Sequence, residues 1–107
     1  MEFSRWIPLA DAASMAPAGA GAFQVRVATG LLAYPRGKSA MVHYAAAADM
    51  PQAVAAFAAA HRDRPWLVRF AINMTAAERR DPEAAMAALV ARFQARFGAP
   101  PGFPETP

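Results

Sequence analysis

Ala22-Phe23-Gln24-Val25-Arg26-Val27-Ala28 is the stretch that decides the fold. Phe23, Val25 and Val27 alternate with Gln24 and Arg26, and such alternation puts large apolar side chains on one face and polar ones on the other, the pattern of an antiparallel strand with one buried face. Pro17 to Gly21, just before it, is rich in turn-forming residues. Behind it, Thr29 to Ser39 reads as a long hairpin loop, and Ala40 to Ala45 as the returning strand. On that strand Val42 and Tyr44 fall on one face, Met41 and His43 on the other.

The period then changes. Asp49 is a suitable N-cap with Pro51 in the first turn, and Met50, Val54, Phe57, Ala58 and His61 recur at helical spacing to about Arg62, an apolar stripe to lay on the sheet. Asp63-Arg64-Pro65 ends this helix. Trp66 to Ile72 reads as a third strand, with Trp66, Val68, Phe70 and Ile72 on one side and Arg69 on the other. Thr75 and Glu78 have capping-box spacing for a helical turn that ends near Arg80. Asp81-Pro82 restarts a helix whose stripe is Met86, Leu89, Val90, Phe93 and Phe97, and Gly98 with Pro100-Pro101 stops it. Upstream of everything, Leu9 to Met15 forms a brief helix after Pro8. The expectation is an α+β fold, a small three-stranded, mostly antiparallel sheet flanked by helices, with Trp6 and Trp66 as core anchors.

Length and composition bound the rest. A chain of 107 residues, 56% hydrophobic and 18% charged, closes one core, so residues 1–107 are read as a single domain whose core spans about 6–101, with an irregular tail at 102–107. Alanine dominates the hydrophobic count and buries little surface, which makes that core modest. The formal charge of +3 arises from eleven basic and eight acidic residues, too mild an excess for a nucleic-acid arm. Only Lys38 is a lysine, and an Arg-rich, Ala-rich chain reflects a GC-rich bacterial coding genome as readily as a phosphate ligand. The absence of cysteine excludes disulfides, thiolate zinc sites, Fe–S clusters and Cys nucleophiles. His43 and His61 are the two histidines and have no short metal-ligand spacing, so no metal and no cofactor are expected. The N-terminus lacks a signal-type apolar run, and charged residues or prolines interrupt every apolar stretch. Cytoplasm is the expected location, without membrane contact.

Gly21-Ala22-Phe23 on the first strand, Val42-His43-Tyr44-Ala45 on the second, the helix that follows, and the closing Phe93 to Pro101 phrase together resemble a degenerate GIY-YIG domain, the fold of certain nucleases. The resemblance implies a phosphodiester-cleaving site made of two tyrosines, an arginine and a metal-binding glutamate. Those positions fall on Phe23, His43, near Ala53 and near Met86, so all four polar groups are altered. A carboxylate for the divalent cation is thereby lost. Glu83, one turn before Met86, could stand in, but an acidic residue in the first turn of a helix is also favoured by the helix dipole alone.

The reading that follows is a non-catalytic binding or scaffold module with no catalytic residues. Its alternatives are a divergent Mg-dependent nuclease built on His43, Glu83 and Arg69, and a non-catalytic nucleic-acid-binding domain. Arg36, Lys38 and Arg69 are the candidate binding residues. The loop from Arg36 to Ser39 presents cations at a glycine turn to a protein or nucleic acid, although a solvated hairpin tip explains them equally well. His43 and Arg69, on neighbouring strands, are expected to form a polar floor where the family's cleft would lie. The partner itself is unspecified.

Overall fold

A computed structural model describes residues 1–103. Two short strands open the chain, β1 (Glu2–Phe3) and β2 (Ile7–Pro8), and helix α1 (Leu9–Met15) follows directly. Strand β3 (Gly21–Val27) leads into a hairpin of β4 (Leu32–Tyr34) and β5 (Gly37–Ser39), and then β6 (Met41–Ala47). Helix α2 (Met50–Ala60), strand β7 (Trp66–Asn73), the short helix α3 (Ala76–Arg80) and the long helix α4 (Pro82–Phe97) complete it.

The fold is α+β with an antiparallel sheet, but the sheet has five strands rather than three, in the order β1-β7-β3-β6 with β2 also on β7. The two extra strands are two residues long each, too short to carry any period. Together they act as one edge strand interrupted at Ser4 to Trp6: Glu2 and Phe3 pair with Asn73 and Ala71, and Ile7 and Pro8 with Val68 and Leu67. In the gap the Ser4 amide donates to the Phe70 carbonyl at 2.7 Å, and the Phe70 amide donates to Ser4 Oγ at 3.0 Å. The hydroxyl thus takes a ladder position, and the Phe70 amide is not left unpaired in the gap.

Two further differences concern β3 and its partner. The loop expected between them contains its own ladder, Leu32 to Ser39 and Tyr34 to Gly37, and folds onto α4 through the Tyr34 ring, 4.9 Å from Phe93. Strand β6 also runs on to Ala47, because pairing of Ala46 and Ala47 with Ala22 and Gly21 outweighs the weak strand preference of alanine.

Three of the helices, α2, α3 and α4, are set by the residues their ends require, whereas α1 has no side-chain cap. Asp49 accepts from the Gln52 amide at 3.2 Å, Thr75 and Glu78 close a full capping box, and Asp81 accepts from Ala84 at 3.0 Å. One face of the sheet carries Phe23, Val25, Val27, Trp66, Val68 and Phe70, and these pack with Leu9 and Ala12 of α1 and Met50, Val54 and Phe57 of α2. Ile72, expected on that face, is 61% exposed, since pairing of β7 with β3 ends at Phe70 and the strand runs on beyond it. Helix α4 covers the β6 side of the opposite face, where Tyr44 meets Phe93. Among the described residues no helix is long and apolar enough to cross a membrane. The irregular tail read at 102–107 is described as far as Phe103, which packs on the core; 104–107 lie outside the described residues.

Candidate functional site

Cross-strand register decides which polar side chains meet. Gln24 of β3 lies opposite Tyr44 of β6 on one side and Arg69 of β7 on the other, so these three form a row across the face opposite α1 and α2. Gln24 is buried, 3% exposed, and its Oε1 accepts from Arg69 Nε at 2.7 Å. That bond fixes the plane of the guanidinium. Phe3 and Trp6, brought in by the interrupted edge strand, then bracket it, with Cζ 4.6 Å and 4.5 Å from the two ring centres. Arg26 stands at 5.1 Å from the same indole and donates Nε to the Val27 carbonyl at 3.3 Å. Trp6 is therefore half-buried under two cations and is no core anchor, while Trp66, 3% exposed, is one.

Among the described residues no carboxylate lies within ion-pair distance of Arg26 or Arg69, and no terminal nitrogen of either guanidinium donates to the protein. Burial pulls Arg69 below the ordinary arginine value; Tyr44 opposes that and Arg26 adds to it. Burial likewise raises the Tyr44 hydroxyl, against the pull of Arg69. Both guanidiniums present N–H forks from the sheet, the geometry that receives a carboxylate or phosphate. Cation–π stacking worth about 0.5–2 kcal/mol per pair holds the forks in place before any ligand arrives.

The other residues singled out in the sequence lie elsewhere. Arg36 is not a free loop cation. Its Nη2 donates to the Ala95 carbonyl at 2.7 Å and to that of Gln94 at 3.4 Å, and its amide to the Phe97 carbonyl at 2.9 Å. It caps the C-terminus of α4, where the dipole favours a cation. Lys38 is exposed on β5. Arg36 and Arg69 share no hydrogen-bond partner among the described residues.

His43 and Arg69 do not form a polar floor either, because His43 pairs with Val25 and so occupies the α2 face. Its ring stacks on Phe57 at 5.1 Å, and His61 is stacked between Phe57 and Phe103 at 4.3 Å from each. Glu83 shares a groove with Tyr44, not with His43. The three residues of the nuclease alternative therefore line no common cleft. Among the described residues no three His, Asp or Glu side chains group closely enough to hold a metal ion.

Burial holds His43 below its ordinary value, and the nearby His61 acts in the same direction. The unfolded chain therefore takes up the proton first as pH falls, and stability present above about 6.5 is lost as pH drops through that value toward the folded-state one. Thermal melts are expected to show a lower Tm at about pH 5.5 than at about pH 7.5, with a smaller difference in His43→Phe. An unchanged difference in the variant would assign the effect to other groups.

Phe3, Trp6, Gln24 and Arg26 were not read as site residues from sequence. The alternation of Gln24 and Arg26 with Phe23, Val25 and Val27 was the available signal, since it places both polar residues on the wetter face. Comparison with family models, with curated proteins and with solved structures finds no match to the chain.

Proposed function

We propose that the chain is a non-catalytic binding or scaffold module of GIY-YIG-like ancestry, working in the cytoplasm, that receives an anionic group of its partner on the sheet face of Arg26 and Arg69. One observation carries this reading: two guanidiniums sit within 5.1 Å of a single indole, stacked and oriented, with no carboxylate in reach among the described residues. Two uncompensated cations held together are electrostatically costly, and an arriving anion relieves that cost. The hairpin of β3 and β6, the helix after it, and the strand and long helix beyond keep the element order on which the proposed ancestry rests. A divergent nuclease would have to work from Glu83 alone in the groove beside Tyr44, with His43 on the far face, and is the weaker reading.

Isotope-labelled protein titrated with a single-stranded oligonucleotide, and separately with a glutamate-rich peptide, tests it through the Trp6 indole N–H signal. At least one polyanion is expected to move that signal. Arg69→Gln should weaken the same binding about tenfold or more and lower its salt slope by about one. Plasmid incubated with the protein and Mg²⁺ should stay intact. An indole signal unmoved by either polymer would sink the anion site, and nicking abolished by Glu83→Ala would overturn the non-catalytic reading.

A further inference from the structure

Strand β6 is an edge of the sheet and pairs only with β3. From His43 to Ala47 its outer side makes no backbone hydrogen bond among the described residues. The stretch His43-Tyr44-Ala45-Ala46-Ala47 contains no proline, lysine or carboxylate. Those are the devices by which free edges are kept from pairing. The opposite edge has them: β1 and β2 are two residues each, the break at Ser4 to Trp6 divides them, and Pro8 offers no amide hydrogen. The fold guards one edge and leaves the other bare.

Beside the bare edge runs a groove of about 540 Å³ between β6 and α4, floored by Ala46 and walled by Met86 and Val90. Its ends differ in charge. Glu83 stands at one, and at the other is Gln94, whose carbonyl receives the Arg36 guanidinium.

We propose that β6 is the interface with a second copy of this chain, the two strands pairing antiparallel across a two-fold axis near Ala45, so that the sheet continues from one copy into the next. An antiparallel pairing of a strand with itself is closed by a single two-fold axis, so one set of residues serves both sides and assembly stops at two. That axis also sets the two α4 helices in opposite directions. Glu83 of each copy is then brought toward the Arg36 end of the other, and the charges match. A strand from an unrelated protein would supply backbone bonds but not this reciprocal match. The alanines keep both grooves shallow enough for close approach.

Sedimentation velocity from about 1 μM to about 200 μM reads the outcome. The wild-type chain is expected to convert from monomer to dimer within that range. Ala46→Lys and Ala46→Glu, each placing two like charges near the axis, should raise the dissociation constant at least tenfold, and mixing the two variants should restore a dimer. Glu83→Arg, at an exposed position, should weaken the dimer several-fold, and Glu83→Gln, which loses only the charge, should weaken it less. A wild-type monomer at every concentration overturns the proposal and leaves the edge to a strand of another protein. Dimers of Ala46→Lys as tight as wild type, with no gain on mixing, overturn it too.

Discussion

Phe70→Ala is expected to lower the free energy of unfolding by about 3–5 kcal/mol, a large share of the roughly 5–15 kcal/mol that holds a domain together. Phe70 lies within β7, the strand that joins the edge pair β1 and β2 to β3, and is 2% exposed. Its cross-strand partner is Phe23, 3% exposed, and both belong to the core under α1 and α2. With so much of the hydrophobic composition in alanine, few neighbours are large enough to collapse into the cavity. Urea denaturation gives the measurement, and Ile72→Ala is its control. The two residues share a face by sequence, yet Ile72 is 61% exposed, so its truncation should cost within about 0.5 kcal/mol. Equal losses at the two positions would contradict the end of the helix-covered region at Phe70.

Gly98→Val should cost about 2–4 kcal/mol and lower Tm by roughly 10–20 °C. Gly98 ends α4 with φ of +85°, a left-handed conformation that a β-branched residue adopts only under strain. The second cost is steric. A Cβ there would stand 2.9 Å from Pro35 Cβ, so the hairpin tip must retreat. Retreat stretches the bond from the Arg36 amide to the Phe97 carbonyl and loosens the contact of Tyr34 with Phe93 and Phe97. Gly102→Val, which meets no atom within 4 Å and has no such backbone requirement, is expected to leave the melting temperature almost unchanged. Calorimetry on the pair separates backbone strain at the helix end from a general effect of valine.

The core elements were legible because each carries a strong local rule. Phe23, Val25 and Val27 set a period of two, Asp49, Thr75 and Asp81 are caps, and Gly98 is a stop, all found where the structure needs them. Strands β1 and β2 escaped because two residues define no period, and their pairing is decided by residues some sixty positions away. Strands β4 and β5 escaped for a related reason: Gly37-Lys38-Ser39 has the composition of a turn and becomes a strand only by pairing with Leu32 to Tyr34. The candidate site needed register as well. Arg69 was placed correctly off the core face, but its neighbour turned on whether Gln24 or Val25 faced it. A shift of one residue exchanges Gln24 for Val25 and would have put Arg69 opposite the His43 row. Trp6 and Phe3 could not be assigned to Arg69 without knowing that residues 2–8 form an edge strand.

That edge strand has a consequence in time. Residues 2–8 are synthesised well before β7, yet every backbone bond that β1 and β2 make within the sheet goes to that strand, residues 66–73. At about 5–20 residues per second, several seconds pass between the making of Ser4 and of the Phe70 amide that its hydroxyl receives. Through that interval β3 and β6 can close their own hairpin and α2 can form, all from nearer neighbours. The N-terminal segment must wait and then close the longest loop in the sheet, the kind of distant contact that slows folding. It closes on β7 as a latch once that strand is made, and the serine at its centre is the catch.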